Sequence, residues 1–209
     1  MQINKIIDKT KDIILNKLLP IINSIGEPLE GNLFMKHNTT NFSEDIFMIN
    51  KVNNLCSLIN TTSSKKVLEI GFNAGFSALL ILLSNPDINL ICVDICSHKY
   101  AIPCYQVLKD MFGERILLYT GDSMRILPEF RASFDIIHID GGHDEIVAKS
   151  DILQSYRLCR KPGGILIMDD YNFPILKTLW DNYCEEWKLE KYELPELKET
   201  PNHDIRIIK

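Results

Sequence analysis

The sequence predicts an α/β fold, a doubly wound and mostly parallel sheet, from three observations. Between residues 66 and 187, short runs rich in Ile, Val and Leu alternate with stretches of helical spacing, the pattern of repeated strand–helix–strand units. The runs are apolar on both faces, which suits strands buried between two layers of helices. The residues just after each run are polar, as expected where strand ends open onto a ligand crevice.

The elements follow in order. Over residues 3–25 the apolar positions Ile3, Ile6, Ile7, Ile13, Ile14, Leu18 and Leu19 recur at helical spacing, and Pro20 is expected to break or kink the run. Residues 26–41, punctuated by Pro28 and Gly31, read as a loop in which His37, Asn38, Thr39 and Thr40 are candidates to border a pocket as a lid. Ser43 is the expected N-cap of a helix reaching about Ile59, with Glu44 and Asp45 in its first turn. Strands are expected at 66–70, 89–93, 116–119, 134–139 and 165–168, and helices at 76–84, 98–112, 124–130, 144–159 and 174–187. The tail, 189–194 and 205–208 around a turn-rich stretch, is expected to add a hairpin. Residues 1–62 are read as a helical extension or lid packed on the core, and 63–209 as the α/β domain.

Composition narrows the function classes. A net charge of −5 supplies no basic excess for a phosphate backbone, so a nucleic-acid partner is disfavoured. The six cysteines contain no C-x-x-C pair and several lie in apolar runs, which points to a reducing, cytoplasmic setting. Charges interrupt the N-terminal stretch too often for a signal peptide or a membrane span.

The first strand ends Glu69-Ile70-Gly71, followed by Phe72-Asn73-Ala74-Gly75-Phe76-Ser77. Two glycines permit a tight turn with close backbone approach, and the following helix start offers free N–H groups. Asn73 stands where the dinucleotide pattern needs its second glycine, which disfavours a nicotinamide oxidoreductase. Glu69 can accept from an ammonium group, which suits an amino-acid moiety better than a phosphate. Asp94, ending the second strand, can take both hydroxyls of a ribose. In Gly121-Asp122-Ser123, Asp122 either accepts from an adenine amino group or caps the next helix.

The order E-I-G-x-x-x-G, V-D, G-D-S, F-D-x-x-x-I-D-G-G-H and K-P-G-G, from Lys66 to Asp170, resembles the class I S-adenosylmethionine-dependent methyltransferases. Asp140-Gly141-Gly142-His143 with Asp169-Asp170-Tyr171 is similar to methyltransferase family 24, which includes sugar O-methyltransferases, and more distantly to metal-dependent catechol-type enzymes. The resemblance implies a Rossmann-like seven-stranded sheet with an antiparallel last strand. It also implies S-adenosylmethionine as cofactor. Glu69, Gly71, Asn73, Gly75 and Ser77 would lie along its methionine part, Asp94 and Ile95 at the ribose, Gly121, Asp122 and Ser123 at the adenine, and Asp140 near the reacting end.

If the fourth and fifth strands are neighbours, Asp140, Asp169 and Asp170 lie at adjacent strand ends and would repel unless a cation relieves them, most simply Mg2+ with oxygen ligands. Metal-dependent methyltransferases place acidic residues at similar positions, so the expected reaction is a metal-assisted O-methylation of a small hydroxylated acceptor such as a sugar. His143 lies where catechol-type enzymes carry a Lys and is a candidate general base, alternatively a helix start or a substrate contact. Asp144 reads as an alternative base or simply as a cap, and His138, inside an apolar strand, as a satisfied core histidine. Lys161-Pro162-Gly163-Gly164 reads as turn geometry, and the Trp180, Tyr183 and Trp187 stripe as core or a homodimer contact. The rival readings are a metal-independent methyltransferase acting on RNA or protein and a non-catalytic nucleotide-binding module.

Overall fold

The computed structural model describes residues 3–30, 33–36, 39–63 and 65–209. Seven strands form one sheet in the order β3-β2-β1-β4-β5-β7-β6. They are β1 (Lys66–Ile70), β2 (Asn89–Asp94), β3 (Ile116–Thr120), β4 (Ile136–Ile139), β5 (Ile165–Asp169), β6 (Glu190–Lys191) and β7 (His203–Ile207). The first five pair in parallel, and β7 runs antiparallel to both β5 and β6, as the resemblance implied. Phe134, expected to open the fourth strand, makes only an isolated bridge to Cys159.

The front of the chain is one long helical run. Helix α1 (Ile3–Ile13) passes through a π-helical turn (Ile14–Leu18) into α2 (Leu19–Ile25), which carries Pro20 in its first turn. The wide turn absorbs the ring and the missing N–H of proline, so of the break or kink expected at Pro20 the break does not occur and the helix is locally irregular instead. Helix α3 (Ile46–Thr61) is capped by Asp45, whose carboxylate accepts from the N–H groups of Phe47 and Met48. Ser43, the expected cap, instead accepts from Asp45 N and shapes the approach to the helix.

The remaining helices are α4 (Phe76–Ser84), α5 (Ala101–Phe112), α6 (Ser123–Ile126), α7 (Glu145–Leu158) and α8 (Pro174–Glu186). Asp144 caps α7, as expected. Apolar side chains of α1, α2 and α3 share a buried cluster with α4, α5 and one sheet face, including Ile6, Ile14, Leu55, Leu79, Val67 and Ile136. On the other face Leu68, Ile70, Ile137 and Leu166 pack against α7 and α8. Trp180 is buried there with its indole N–H on Asp204, and the partly buried Trp187 stacks between Tyr156 and Tyr183. Among the described residues no helix is long and apolar enough to cross a membrane.

Candidate active site

A cavity of about 930 Å³ opens beyond the carboxyl ends of β1 and β4, where the strand order reverses. Its wall begins at the glycine turn. Gly71 has φ +95°, and a β-carbon there would overlap the carbonyl oxygen of Asp140, so only glycine lets β1 and β4 come this close. Asp94 Oδ2 accepts from the N–H groups of Phe72 (2.6 Å) and Asn73 (2.8 Å), and Oδ1 from that of Cys96 (2.5 Å). Three backbone donors therefore use most of the roughly four lone-pair sites of this carboxylate, which leaves room for one further donor rather than for a full ribose clamp. The side-chain amide of Asn73 donates to the carbonyl of Glu30 and ties the front loop to the turn.

Gly71, Asn73, Ser77, Asp94, Ile95, Gly121, Asp122, Ser123, Asp140 and His143 all line the cavity. Gly75, at φ +75°, caps the start of α4 behind that lining. Asp122 adopts the capping role, accepting from Met124 N at 2.9 Å. From the front of the chain Glu30, Leu33, Met35, Met48 and Lys51 also contribute. Thr39 and Thr40 are not among the lining residues, and His37 and Asn38 lie outside the described residues.

Glu69 requires a correction. Its side chain is fully buried beneath the cavity, not in the lining, because the pleat turns it to the helical-extension side of the sheet. There it pairs across the strands with Cys92 and His138. Glu69 Oε1 lies 3.2 Å from His138 Nδ1, and His138 Nε2 lies 3.1 Å from Asp169 Oδ2. His203 Nε2, on β7, is 3.3 Å from the same Asp169 oxygen. Burial opposes charge on His138, yet hydrogen bonds to Asp169 and Glu69 raise it to about 10, so an imidazolium bridges two buried carboxylates. His203 is pushed down by burial and stays neutral near pH 7. His138 is thus a satisfied core histidine, as its place in an apolar strand suggested.

The three carboxylates do converge: ligand oxygens of Asp140, Asp169 and Asp170 lie within 4.8 Å of one another. A residue that sequence reasoning missed sits among them. The ammonium of Lys51, on α3, contacts Asp169 Oδ1 and lies 3.9 Å from Asp170 Oδ1, with 6% of its side chain exposed. Burial disfavours its charge, but Asp169, Asp140 and Asp170 together hold it above the usual lysine range. Burial would raise Asp169, but Lys51, His203 and His138 keep it well below the usual carboxylate range. Asp140 is pushed up by burial and by the charge of Asp169. Asp170, at φ +52°, turns back so that its N–H reaches Asp169 Oδ1 at 2.6 Å.

His143 is half-exposed at the cavity, its ring 4.5 Å from that of Phe173. Its Nε2 lies 3.0 Å from Asp170 Oδ2. That hydrogen bond raises the imidazole above its ordinary range, partly opposed by burial. With Nε2 donating to a carboxylate, the neutral ring carries its lone pair on Nδ1.

One buried carboxylate on this wall lacks support. Asp151, on α7, is 1% exposed, and neither oxygen meets a hydrogen bond of good geometry. Burial raises it to about 6, and Ser123 only partly offsets this. Because its folded-state value lies above the unfolded one, the group weakens the fold as pH rises through this interval. Asp151→Asn is therefore expected to stabilise the protein at pH 7 by up to about 3 kcal/mol, a gain that vanishes toward pH 4. Urea unfolding at the two pH values checks this, and a pH-independent gain would contradict it.

Compared with known proteins, residues 68–171 match the family described as Methyltransferase domain. These residues form a class I methyltransferase domain. Its relatives include a probable caffeoyl-CoA O-methyltransferase of Arabidopsis thaliana, 27% identical over 165 residues that cover 72% of this chain and 67% of that one. The chain spans between about half and two thirds of the length of the curated relatives it matches. Among solved structures, the methyltransferase domain shares its fold with an O-methyltransferase from Bacillus cereus in complex with SAH (TM-score 0.64, 16% identity, all of both chains covered). It shares it also with a TDP-rhamnose 3'-O-methyltransferase of calicheamicin biosynthesis (TM-score 0.61, 12% identity, 98% of this chain and 93% of that one).

Proposed function

We propose that this methyltransferase domain transfers a methyl group from S-adenosylmethionine to a hydroxyl oxygen of a small acceptor. The observation that carries the reading is the His143–Asp170 pair at 3.0 Å, set in the cavity that also holds the glycine turn. When bound, S-adenosylmethionine supplies an activated methyl group and a neutral thioether leaving group. Its nucleoside end would lie along Asp94, Ile95, Gly121, Asp122 and Ser123. Its methionine end would lie along Gly71, Asn73 and Ser77, which accords with the cavity and the open turn.

The chain's own residues then align the acceptor and manage one proton. His143 Nδ1 takes the proton as the acceptor oxygen forms its bond to carbon, and Asp170 orients the ring and stabilises the imidazolium. Phe173 and Met48 supply apolar surface on which a ring of the acceptor can rest. The caffeoyl-CoA O-methyltransferase relatives and the sugar O-methyltransferase of the same fold both bear names of small hydroxylated acceptors, and a sugar is the acceptor favoured by the family 24 resemblance.

The Mg2+ expected from the acidic strand ends meets carboxylates that are engaged at Asp169 and at one oxygen of Asp170. The carboxylate spacing suits a cation. However, Asp169 Oδ1 meets Lys51 and Asp170 N, its Oδ2 meets His138 and His203, and Asp170 Oδ2 meets His143. The ammonium of Lys51 stands where a divalent ion would bridge Asp169 and Asp170.

Calorimetry with S-adenosylhomocysteine is expected to give saturable one-site binding. Asp94→Ala is expected to weaken it at least about tenfold, or about 1.4 kcal/mol, because the glycine turn loses two backbone anchors and the loop after β2 loses one. Absence of binding to the wild type would sink the cofactor assignment.

A further inference from the structure

Lys51 stands out against its surroundings. Helix α3 is otherwise apolar on its inner face, where Val52, Leu55, Leu58 and Ile59 join the core, yet Asn50, Lys51 and Asn54 are buried with them. The two asparagines serve as fasteners. Asn50 Nδ2 donates to the carbonyl of Glu199 at 3.1 Å, and Asn54 exchanges bonds with the backbone of Lys198 at 2.7 and 2.8 Å. Helix α3 is thereby held to the segment that leads into β7, and Lys51 is presented at a fixed height above β5. Its ammonium reaches the point where the carboxylates of Asp169 and Asp170 face each other and lines the cavity on the side of His143.

An ammonium is a compact charge with three donors and no acceptor, so it can neutralise carboxylates but cannot share their lone pairs with a second cation. Mg2+ needs oxygen ligands at about 2.0–2.1 Å in near-octahedral array, and both oxygens of Asp169 already face a donor, Lys51 at one and His138 at the other.

We propose that Lys51 is the resident, tethered cation of this acidic site and that it excludes a divalent ion from the carboxylates of Asp140, Asp169 and Asp170. Its ammonium supplies a fixed positive charge next to the acceptor hydroxyl, where negative charge grows as the proton leaves. That second role rests on the proposed methyl transfer; the exclusion of the ion does not.

The test titrates Mn2+ alone into chelator-treated full chain and reads free Mn2+ by electron spin resonance. The wild type is expected to bind no more tightly than about 1 mM. Lys51→Met, close in length but uncharged, is expected to gain at least about tenfold in affinity, and the further change Asp170→Asn to remove the gain. Lys51→Gln replaces the methionine variant if that one does not fold, and if neither folds the wild-type titration decides. The proposal is overturned if the wild type binds Mn2+ more tightly than about 1 mM and loses it in Asp170→Asn. It is equally overturned if the folded Lys51 variants gain no affinity. S-adenosylhomocysteine calorimetry on the same samples separates the two readings: failure there removes the methyl-transfer proposal and leaves the ion result standing.

Discussion

Replacement of His143 by alanine is expected to lower kcat by roughly 10²–10⁴-fold on any hydroxylated acceptor that turns over, with S-adenosylhomocysteine affinity unchanged. The size is that of losing a positioned base while the cavity wall and the glycine turn stay intact. Asp170→Asn should lose part of the same factor, since an amide at 3.0 Å from Nε2 still orients the ring but no longer stabilises the imidazolium. The double variant should lose little beyond His143→Ala alone, because the two side chains act as one unit. Steady-state kinetics on the three variants decides the matter. A His143→Ala enzyme within a few-fold of wild type would remove the base role and leave His143 as a cavity-wall residue.

The second large effect concerns stability. His138→Leu should cost about 3–5 kcal/mol, because it strips the shared cation from Glu69 and Asp169 at full burial. That is a large share of the roughly 5–15 kcal/mol that holds a domain folded. Adding Glu69→Leu should recover part of the loss, since one stranded carboxylate leaves with it and neighbouring sites do not add. Urea denaturation of the single and double variants measures both effects. A His138→Leu protein within about 1 kcal/mol of wild type would show that the imidazole is not the charged bridge described above.

The strands and most helices were legible because each is announced by apolar spacing over its own few residues. The convergence of Asp140, Asp169 and Asp170 was legible too, since parallel strands deliver their last residues to one edge. What stayed hidden depends on register and on distant chain segments. Glu69 reads as a cavity residue until its cross-strand neighbours are known, and only pairing with His138 shows that it points beneath the site. Ser43 and Asp45 are both good caps, and a two-residue shift in the helix start chose between them. Lys51 meets carboxylates far along the chain, so spacing carries no sign of the pair. The one local signal is a lysine placed on the apolar stripe formed with Met48, Val52 and Leu55, which is unusual for a residue that seldom lies fully buried.

The front helices do more than cover the sheet. Ile6, Ile14 and Leu55 belong to the same buried cluster as Val67 and Ile136, while Met48 and Lys51, on the same helix as Leu55, line the cavity. Substitutions that would re-tune acceptor choice from this side therefore fall one helical turn from residues on which folding depends. Adaptation to new acceptors should proceed more readily at the rim around Phe173, where an exposed side chain can vary without disturbing the interior.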